Sequence, residues 1–491
     1  MKRILTLLAA AIAITSCFGL EEDGFKTLEP IVFSDVPATI DVSLGETLVY
    51  DALTVTSSLP VDYQWAYGKK KDSGKSEYDM ESMEVISTDP QIRYTFQKLG
   101  TYVLRLRADN GESIEYKYFT LNVNSGLDEG LLVLSNSDDG SSSLGFIKRR
   151  SASEEAEDAQ EIWEDVFSTM NNGRKIDFGT SLFMSAFVSG GISYNHLLIS
   201  TSDADGSIHD LDPKTMTLIS TVSMMDGFGT WCCDFAGSQT SSGGAYTFLR
   251  GGNGHVYRLD LFSPFVTERT DCYSTAGSLE SSRMLIYSTG STGSLYTKGV
   301  FYNDRMLAQP GTTATTTVLR MPDGWRMVNF CPDRDANKTY VLLQSLSDPT
   351  QYSIKSTTGS LQAFKDVSEF SASSVTLDPG SKLCSSLNSN DVYFSHGNAI
   401  YRWGLVTRPS DIPAITLPEG EEICDIATNF MAGRTDGTEE TLLYVATWNP
   451  SLPGEFKGSV YVYDIATDSL QKCYKGICRR PVKLLYKYRI S

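Results

Sequence analysis

The sequence predicts an all-β protein, in which an N-terminal immunoglobulin-like sandwich is followed by a seven-bladed β-propeller that the C-terminal strand closes. Three observations lead to this prediction. The composition, with 40 Gly, 25 Tyr and 22 Phe in 491 residues, is typical of a turn-rich β protein. Apolar and polar residues alternate with period two in many short segments, as they do in half-buried strands. Beyond residue 130, one two-strand unit recurs along the rest of the chain.

The segment 30–124 is expected to form the sandwich. Its predicted strands lie at residues 39–42, 47–50, 61–65, 92–96, 101–107 and 116–123. A domain of about 95 residues with one inward tryptophan, Trp65, fits an immunoglobulin-like sandwich.

Two stretches of this segment resemble the PKD domain. Tyr63-Gln64-Trp65 is similar to the family's tryptophan-bearing strand. The later run from Tyr94 to Leu106, with Gly100-Thr101-Tyr102 inside it, is similar to the strand pair that follows. The family's Gly-Asp-Gly turn after the tryptophan is absent, and residues 67–71 read Tyr-Gly-Lys-Lys-Lys instead. The resemblance therefore implies a divergent, PKD-like module.

The segment 125–491 is expected to form the propeller, with residues 124–128 as the linker. The recurring unit is a hydrophobic strand, a turn and a short strand rich in Val, Ile, Tyr and Asp. Its seven copies pair residues 131–134 with 144–147, 196–200 with 208–211, 245–249 with 256–260, 295–301 with 305–309, 339–343 with 352–355, 392–395 with 400–403, and 442–447 with 460–464. A spacing of roughly 50 residues is typical of propeller blades.

Flanking segments complete the predicted blades. Small-residue first strands are predicted at 230–235, 326–331, 382–387 and 422–428, and fourth strands at 265–269 and 470–474. The first copy has no first strand before it, whereas the C-terminal segment 481–488 is a strand with nothing after it. We expect this segment to pair beside residues 131–134 and to close the ring, which removes exposed sheet edges. The competing fold is an array of two-sheet sandwiches, whose turns would be closer together.

The N-terminus carries an export signal. Lys2-Arg3 precedes a short apolar run, and residues 14–17 read Ile-Thr-Ser-Cys. This pattern resembles the bacterial lipobox, which implies that residues 1–17 are a signal peptide and that Cys17 is lipidated. Residues 18–29 form an acidic tether with Glu21-Glu22-Asp23, similar to the signal that sends Bacteroides lipoproteins to the outer face of the outer membrane. A plain solvated tether is the alternative.

The net charge and the positions of the cysteines argue against nucleic-acid binding and against a metal site. A formal net charge of −18 disfavours nucleic acid as a partner. Five cysteines, at positions 232, 233, 331, 384 and 424, fall on predicted first strands, where small buried side chains pack well. No C-x-x-C pair occurs, so we expect packing and no metal site. Whether Cys473 and Cys478 form a disulfide is left open.

No catalytic residues and no cofactor are predicted. Thr201, Asp203, Asp205 and Asp212 loosely echo a calcium loop, but the Asp-Gly at 205–206 is also a strong hairpin turn, which we favour. We interpret residues 135–140 in the same way. The four histidines, at 196, 209, 255 and 396, lie on predicted second or third strands and match no catalytic motif.

Three tryptophans are the candidate ligand-binding residues. Trp231 and Trp325 begin predicted first strands, and Trp448 ends a second strand. In a propeller these positions lie at the same face, so the three rings would approach one rim. Indole rings offer stacking area and a polar edge that suit sugars or peptides. The alternative is that each ring packs between blades.

The order of lipobox, acidic tether, PKD-like module and propeller resembles the PKD-like lipoproteins of Bacteroidetes nutrient-uptake loci. The resemblance implies an accessory subunit at the cell surface, beside a SusC-type TonB-dependent transporter and a SusD-type lipoprotein. Such a subunit would bind a peptide or oligosaccharide, or dock on the transporter, with its lipid anchor in the membrane. A propeller hydrolase or lyase and a purely structural scaffold are the alternatives.

Overall fold

The computed structural model describes residues 28–34, 38–43, 47–50, 55–69, 82–96, 98–150, 152–156, 160–237, 245–270, 283–291, 294–303, 305–310, 316–332, 338–358, 361–385, 391–429 and 441–490. Two compact units divide the chain, the first ending at Gly126 and the second beginning at Leu127. None of the described helices is long and apolar enough to span a membrane. The predicted signal peptide, Cys17 and most of the tether lie outside the described residues.

The first unit is a sandwich of short strands. The strands in its described part are β1 (Val32–Phe33), β2 (Thr39–Ser43), β3 (Thr47–Tyr50), β4 (Val55–Thr56), β5 (Asp62–Gly68), β6 (Glu84–Ser87), β7 (Ile92–Thr95), β8 (Gly100–Asp109) and β9 (Ile114–Asn124). The larger sheet has the order β2-β9-β8-β5-β6, and β3 pairs with β7. The six predicted strands are present. The two-residue strands β1 and β4 are too short to show periodicity, and β6 was not predicted either.

The core of the first unit lies between these sheets. Trp65 is fully buried and stacks on Phe119 with ring centroids 5.9 Å apart. Its indole N–H donates to the Asp89 carbonyl over 3.1 Å, which satisfies its only polar atom. Leu48 from the smaller sheet joins the same buried cluster. The buried position of Trp65 therefore agrees with the predicted immunoglobulin-like sandwich.

The second unit contains seven sheets of four or five strands, which we number as blades 1–7 in chain order. Blade 1 contains β10 (Gly130–Asn136), β11 (Ser141–Lys148), β12 (Ile162–Trp163) and β13 (Ile176–Asp177); blade 2 contains β14 (Gly179–Ser189), β15 (Ile192–Thr201), β16 (Ser207–Leu211) and β17 (Leu218–Ser223); blade 3 contains β18 (Cys232–Gly237), β19 (Tyr246–Gly251), β20 (Val256–Asp260) and β21 (Phe265–Glu268).

The remaining blades repeat the four-stranded pattern. Blade 4 contains β22 (Arg283–Ser291), β23 (Ser294–Asn303), β24 (Met306–Pro310) and β25 (Thr316–Arg320); blade 5 contains β26 (Trp325–Pro332), β27 (Lys338–Ser345), β28 (Gln351–Thr358) and β29 (Lys365–Ser371); blade 6 contains β30 (Leu383–Ser385), β31 (Val392–His396), β32 (Ala399–Trp403) and β33 (Ile415–Thr416); blade 7 contains β34 (Glu422–Thr428), β35 (Leu442–Trp448), β36 (Gly458–Asp464) and β37 (Ser469–Cys478).

The last strand, β38 (Arg480–Lys487), completes blade 1. It pairs antiparallel with β10, so that Leu131 faces Tyr486 and Leu134 faces Lys483. This confirms the predicted closure of the propeller by the C-terminal strand. The first strands β34, β38, β14 and β18 contact one another in succession and so line the central channel.

Among the described residues, short helices interrupt the strands in three places. They are α1 (Ala152–Ala156), α2 (Val166–Met170) and α3 (Met225–Phe228). The helix α1 lies in an acidic segment that leads into β12. One turn of helix is too short to show an amphipathic pattern.

Candidate binding site in the propeller channel

Five first strands carry a β-bulge at equivalent positions. One residue in each is skipped in the pairing with the second strand: Thr180, Cys233, Val328, Cys424 and Val482. The residue after each bulge is polar: Ser181, Asp234, Asn329, Asp425 and Lys483. We call these five residues the belt. Bulges change the direction of side chains and often lie next to functional sites. The belt is therefore a candidate functional site.

Two of the five belt side chains are partly accessible. Ser181, Asn329 and Asp425 are buried. The Asn329 side chain turns into the protein, where its amide donates to the Asp378 carbonyl over 2.9 Å. In contrast, 34% of the Asp234 side chain and 36% of the Lys483 side chain are accessible. The belt therefore presents one carboxylate from blade 3 and one ammonium from blade 1.

Asp425 contacts the closing strand β38 and stabilises the charged form of Lys483. Its Oδ2 accepts the backbone N–H of Leu484 over 2.8 Å and lies 3.3 Å from Lys483 Nζ. The Asp425 carboxylate raises the pKa of Lys483, and Asp234 adds to this effect. Lys483 is therefore a permanent cation at neutral pH.

Asp234 has only loose partners. Ser181 Oγ donates to Asp234 Oδ1 over 3.4 Å, and Arg250 Nη2 lies 3.8 Å from Asp234 Oδ2. Desolvation raises the pKa of Asp234, while Lys483 and Arg250 oppose that rise. Long contacts of this kind leave a carboxylate with unused acceptor capacity, which is typical of a binding site.

The three candidate tryptophans lie near one end of the belt. Trp231 precedes β18, Trp325 begins β26, and Trp448 pairs with Glu422, the first residue of β34. In blades 3 and 5 the tryptophan comes three or four residues before the belt residue. Since a strand rises ~3.3 Å per residue, these positions lie about 10 Å along the channel from the belt. We call this end the mouth.

Each of these tryptophans is half-buried; Trp231 and Trp325 pack on their own blades, whereas Trp448 contacts the closing strand β38. The Trp231 ring lies over Gly252, where an added Cβ would come within 2.7 Å of the indole. Trp325 packs against the core of blade 5. The Arg480 guanidinium lies 4.7 Å from the Trp448 ring centroid and pairs with Glu422 over 2.6 Å. No ring contact joins two of the three within the described structure, so their role in ligand binding stays a prediction.

The cysteines give no sign of a metal centre in the described chain. Cys232, Cys233, Cys331, Cys384 and Cys424 lie on first strands, and none of them forms a disulfide. Burial raises the pKa of Cys424 to about 12, which keeps it protonated. No group of three or more His, Cys, Asp or Glu side chains converges among the residues described. Cys473 and Cys478 are also free thiols.

Three of the four histidines pair with carboxylates, which sequence analysis did not anticipate. The Nδ1–carboxylate distances are 2.9 Å for His196–Asp210, 2.8 Å for His255–Glu268 and 3.2 Å for His396–Asp378. His255 lies just before β20 and not on a strand. The pairs belong to blades 2, 3 and 6, so they form no shared site. Each pair joins residues 13 to 18 positions apart, a separation that no local motif reveals.

The calcium-like loop is a hairpin turn, as favoured from sequence. Asp203 Oδ1 accepts the backbone N–H groups of Asp205 and Ser207, each over 3.1 Å. Gly206 has φ +56°, a conformation that glycine adopts readily. A separate concavity of about 530 Å³ lies outside the channel, between β12 and α2, where Trp163 is one of the lining residues.

Solved structures similar to this chain are β-propeller proteins. A quinoprotein alcohol dehydrogenase-like protein from Bacteroides thetaiotaomicron is 15% identical, with 94% of this chain and 99% of that chain covered and a TM-score of 0.45. The Cps50 (Swd1) β-propeller domain from Myceliophteria thermophila is 12% identical, with 61% and 86% covered and a TM-score of 0.33. An oligogalacturonate lyase in complex with manganese is 12% identical, with 62% and 74% covered and a TM-score of 0.31.

The sequence identities and TM-scores are too low to indicate what this chain binds or which reaction, if any, it catalyses. No family model and no curated protein matches the chain. The propeller fold follows from the strand pairing of this chain. The resemblance to PKD domains stays a prediction from residues 63–65 and 94–106.

Proposed function

We propose that this protein is a surface-exposed lipoprotein of the outer membrane that binds nutrient as an accessory subunit of a SusCD-type TonB-dependent uptake complex. The ligand is a peptide or an oligosaccharide. The lipobox-like residues ending at Cys17 and the acidic segment after it support export and anchoring. The fold adds a second support, because a propeller offers one concave channel on a rigid frame.

The observation that carries the binding function is the composition of the channel. Asp234 and Lys483 are accessible inside it, and half-buried tryptophans stand at its mouth. Ligand sites typically combine aromatic walls with a few polar groups that fix orientation. Indole rings stack on sugar rings and on peptide side chains alike, so this composition serves both ligand classes.

Co-purification tests the proposed partners. We expect the full-length protein, extracted in mild detergent from the outer membrane of its native host, to bring a SusC-type transporter and a SusD-type lipoprotein with it. Recovery of the protein alone would contradict the proposed complex.

Tryptophan substitutions test the proposed binding face. Replacing Trp231, Trp325 and Trp448 together with alanine should weaken ligand retention at least tenfold, since each indole contributes about 1 kcal/mol or more of contact. Trp163→Ala is the matched control, because Trp163 is half-buried but lies on the outer strand of blade 1. Unchanged retention in the triple variant would favour a structural scaffold instead.

A further inference from the structure

Phe178 combines a strained backbone with an exposed aromatic ring. It has φ +52°, in the left-handed region that bulky residues rarely adopt, and 47% of the residue is accessible. Five other non-glycine residues of the described chain have a positive φ: Asn172, Met216, Leu361, Leu405 and Asp468. Asn and Asp adopt this conformation more readily, and the Met and Leu side chains are buried, which offsets the strain. Phe178 has neither compensation, and uncompensated strain of this kind is an indication of function.

Backbone hydrogen bonds hold Phe178 in this conformation. Its N–H donates to the Gly140 carbonyl of blade 1 over 2.7 Å, and its carbonyl accepts the N–H of Ser202 of blade 2 over 2.8 Å. The ring lies against Gly140, where an added Cβ would come within 2.2 Å of the ring carbons. The two turns therefore fix the ring at the surface, outside any core.

Phe178 occupies the place in blade 2 that Trp231 occupies in blade 3. Each of the two directly precedes the first strand of its blade, β14 or β18. Each also comes three residues before the belt residue of that blade, Ser181 or Asp234. Phe178 therefore lies at the mouth.

The turn between β15 and β16 lies between Phe178 and Trp231. Ser202 at the start of this turn bonds to the Phe178 carbonyl, as described above. Gly206 at its other end is so close to Trp231 that an added Cβ would lie 3.3 Å from the tryptophan Cβ. The two aromatic residues thus flank a single turn of blade 2.

A hydrogen bond joins the two first strands just inside the mouth. Thr180 Oγ1 donates to the Cys232 carbonyl over 2.6 Å. Thr180 is two residues after Phe178, and Cys232 directly follows Trp231. Phe178 and Trp231 are therefore neighbours along the mouth, with no blade between them.

We infer that Phe178 is a ligand-binding residue of the mouth, in addition to Trp231, Trp325 and Trp448. This inference rests on the proposed binding function and extends the binding face to blade 2. A phenyl ring offers stacking area and no hydrogen bond, so Phe178 contacts an apolar face of the ligand. Because the backbone is already fixed, little conformational freedom is lost on binding. A ligand that contacts both Phe178 and Trp231 spans the rim of blades 2 and 3.

Equilibrium dialysis of the full-length protein tests this inference. The two probes are a mixture of neutral malto-, cello- and xylo-oligosaccharides and a library of tripeptides, and the reporter is the probe that the parent protein retains more strongly. Phe178→Leu keeps an apolar side chain against Gly140 and the same backbone strain but has no ring, so retention should fall roughly fivefold or more. Phe178→Tyr keeps the ring and should retain the probe within about twofold of the parent.

Phe265→Leu is the matched control. Phe265 is 50% accessible but lies on β21, the outer strand of blade 3, so the same substitution there should leave retention unchanged. Calorimetry gives the unfolding temperature of each variant. Retention is measured well below the lowest of these temperatures, so that a folding defect is not counted as lost binding.

Three results contradict the inference. Parent-level retention in Phe178→Leu, together with a loss in the triple tryptophan variant, would overturn it and leave the proposed function intact. Equal losses in Phe178→Leu and Phe178→Tyr would show that contact with an aromatic ring is not the cause. If the parent retains neither probe, the inference fails, and the proposed function is then judged separately by co-purification of the transporter.

Discussion

His209 shows how burial controls a single titratable group in this protein. It lies on β16, with Nδ1 3.1 Å from Thr221 Oγ1 and its ring centroid 5.8 Å from that of Phe167. Desolvation lowers the pKa of His209 to about 4, and Arg174 contributes in the same direction. The imidazole is therefore neutral in the folded protein at pH 7, whereas an unfolded chain takes up a proton near pH 6.5.

This difference makes stability depend on pH. Above pH 6.5 the histidine is neutral in both states, and its contribution to the free energy of unfolding is constant. As the pH falls toward 4, the unfolded state binds the proton more tightly, so stability decreases by up to about 3 kcal/mol. Urea unfolding at pH 7.5 and pH 4.5 measures the loss, which should shrink by about that amount in His209→Gln.

His255→Gln is the matched control for this prediction. His255 pairs with Glu268 but keeps 35% of its side chain accessible, so its removal should leave most of the acid sensitivity in place. An identical response in the two variants would mean that burial of His209 is not the cause.

The belt shows which residues sequence analysis could not find. The five first-strand cysteines and the three tryptophans were recognised because their residue types are rare and their places in the repeat were clear. Asp234 and Lys483 were overlooked among 102 charged residues, since Lys+Arg is 42 and Asp+Glu is 60. Their prominence comes from the bulges at Cys233 and Val482, and no sequence pattern predicts those bulges.

The closing strand β38 is stabilised by polar contacts at its middle and at its end. At its middle, Asp425 pairs with Lys483 and accepts the Leu484 backbone N–H. At its end, Lys487 is buried and its Nζ donates to the carbonyls of Leu127 and Asp128, both over 2.6 Å. Tyr486 Oη donates to Glu129 Oε1 over 2.8 Å. Burial lowers the pKa of Lys487 to about 8, so these contacts offset a real cost of desolvation.

Removal of this strand should open the propeller. A chain that ends at residue 479 lacks all of β38, which exposes the edge of β10 and the side chains of Leu131 and Val133 that lie in the same apolar cluster as Leu484 and Tyr486. We expect the loss of cooperative thermal unfolding and the formation of aggregates, measured by calorimetry and light scattering.

A shorter truncation provides the control. A chain that ends at residue 487 keeps all of β38 and should unfold as the full-length protein does. Cooperative unfolding of the chain that ends at 479 would contradict the role of the closing strand.

Long, repeated elements were predictable and short ones were not. The second and third strands of each blade follow from hydrophobic runs that end in turns, and the role of β38 follows from counting strands. The first strand of blade 2, β14, was not assigned because its glycine and serine residues dilute the apolar pattern. Tertiary pairing, rather than local propensity, decides such a segment.

At the scale of the whole molecule, the two units have separate cores. Trp65 organises the first, and each blade of the second has apolar clusters shared with a neighbouring blade. The chain has a net charge of −18, which keeps a large β protein soluble and discourages contact between its copies.

Attachment to the membrane should depend on one residue. Cys17→Ala removes the proposed acylation site, and one or two acyl chains carry most of the expected membrane affinity. We expect the variant to move from the detergent-extracted membrane fraction to the soluble or periplasmic fraction, measured by immunoblotting of fractionated cells. Detection of the variant in the membrane fraction at the parent level would contradict lipid anchoring.

The position of β38 also has a consequence for how the protein is made. Its residues follow those of all seven blades along the chain, although they form the innermost strand of the first blade. During synthesis the blades therefore emerge before the strand that joins the first blade to the last, and the ring stays open until residues 480–487 have emerged. An export machinery that accepts only unfolded chains could engage such a chain before its propeller closes.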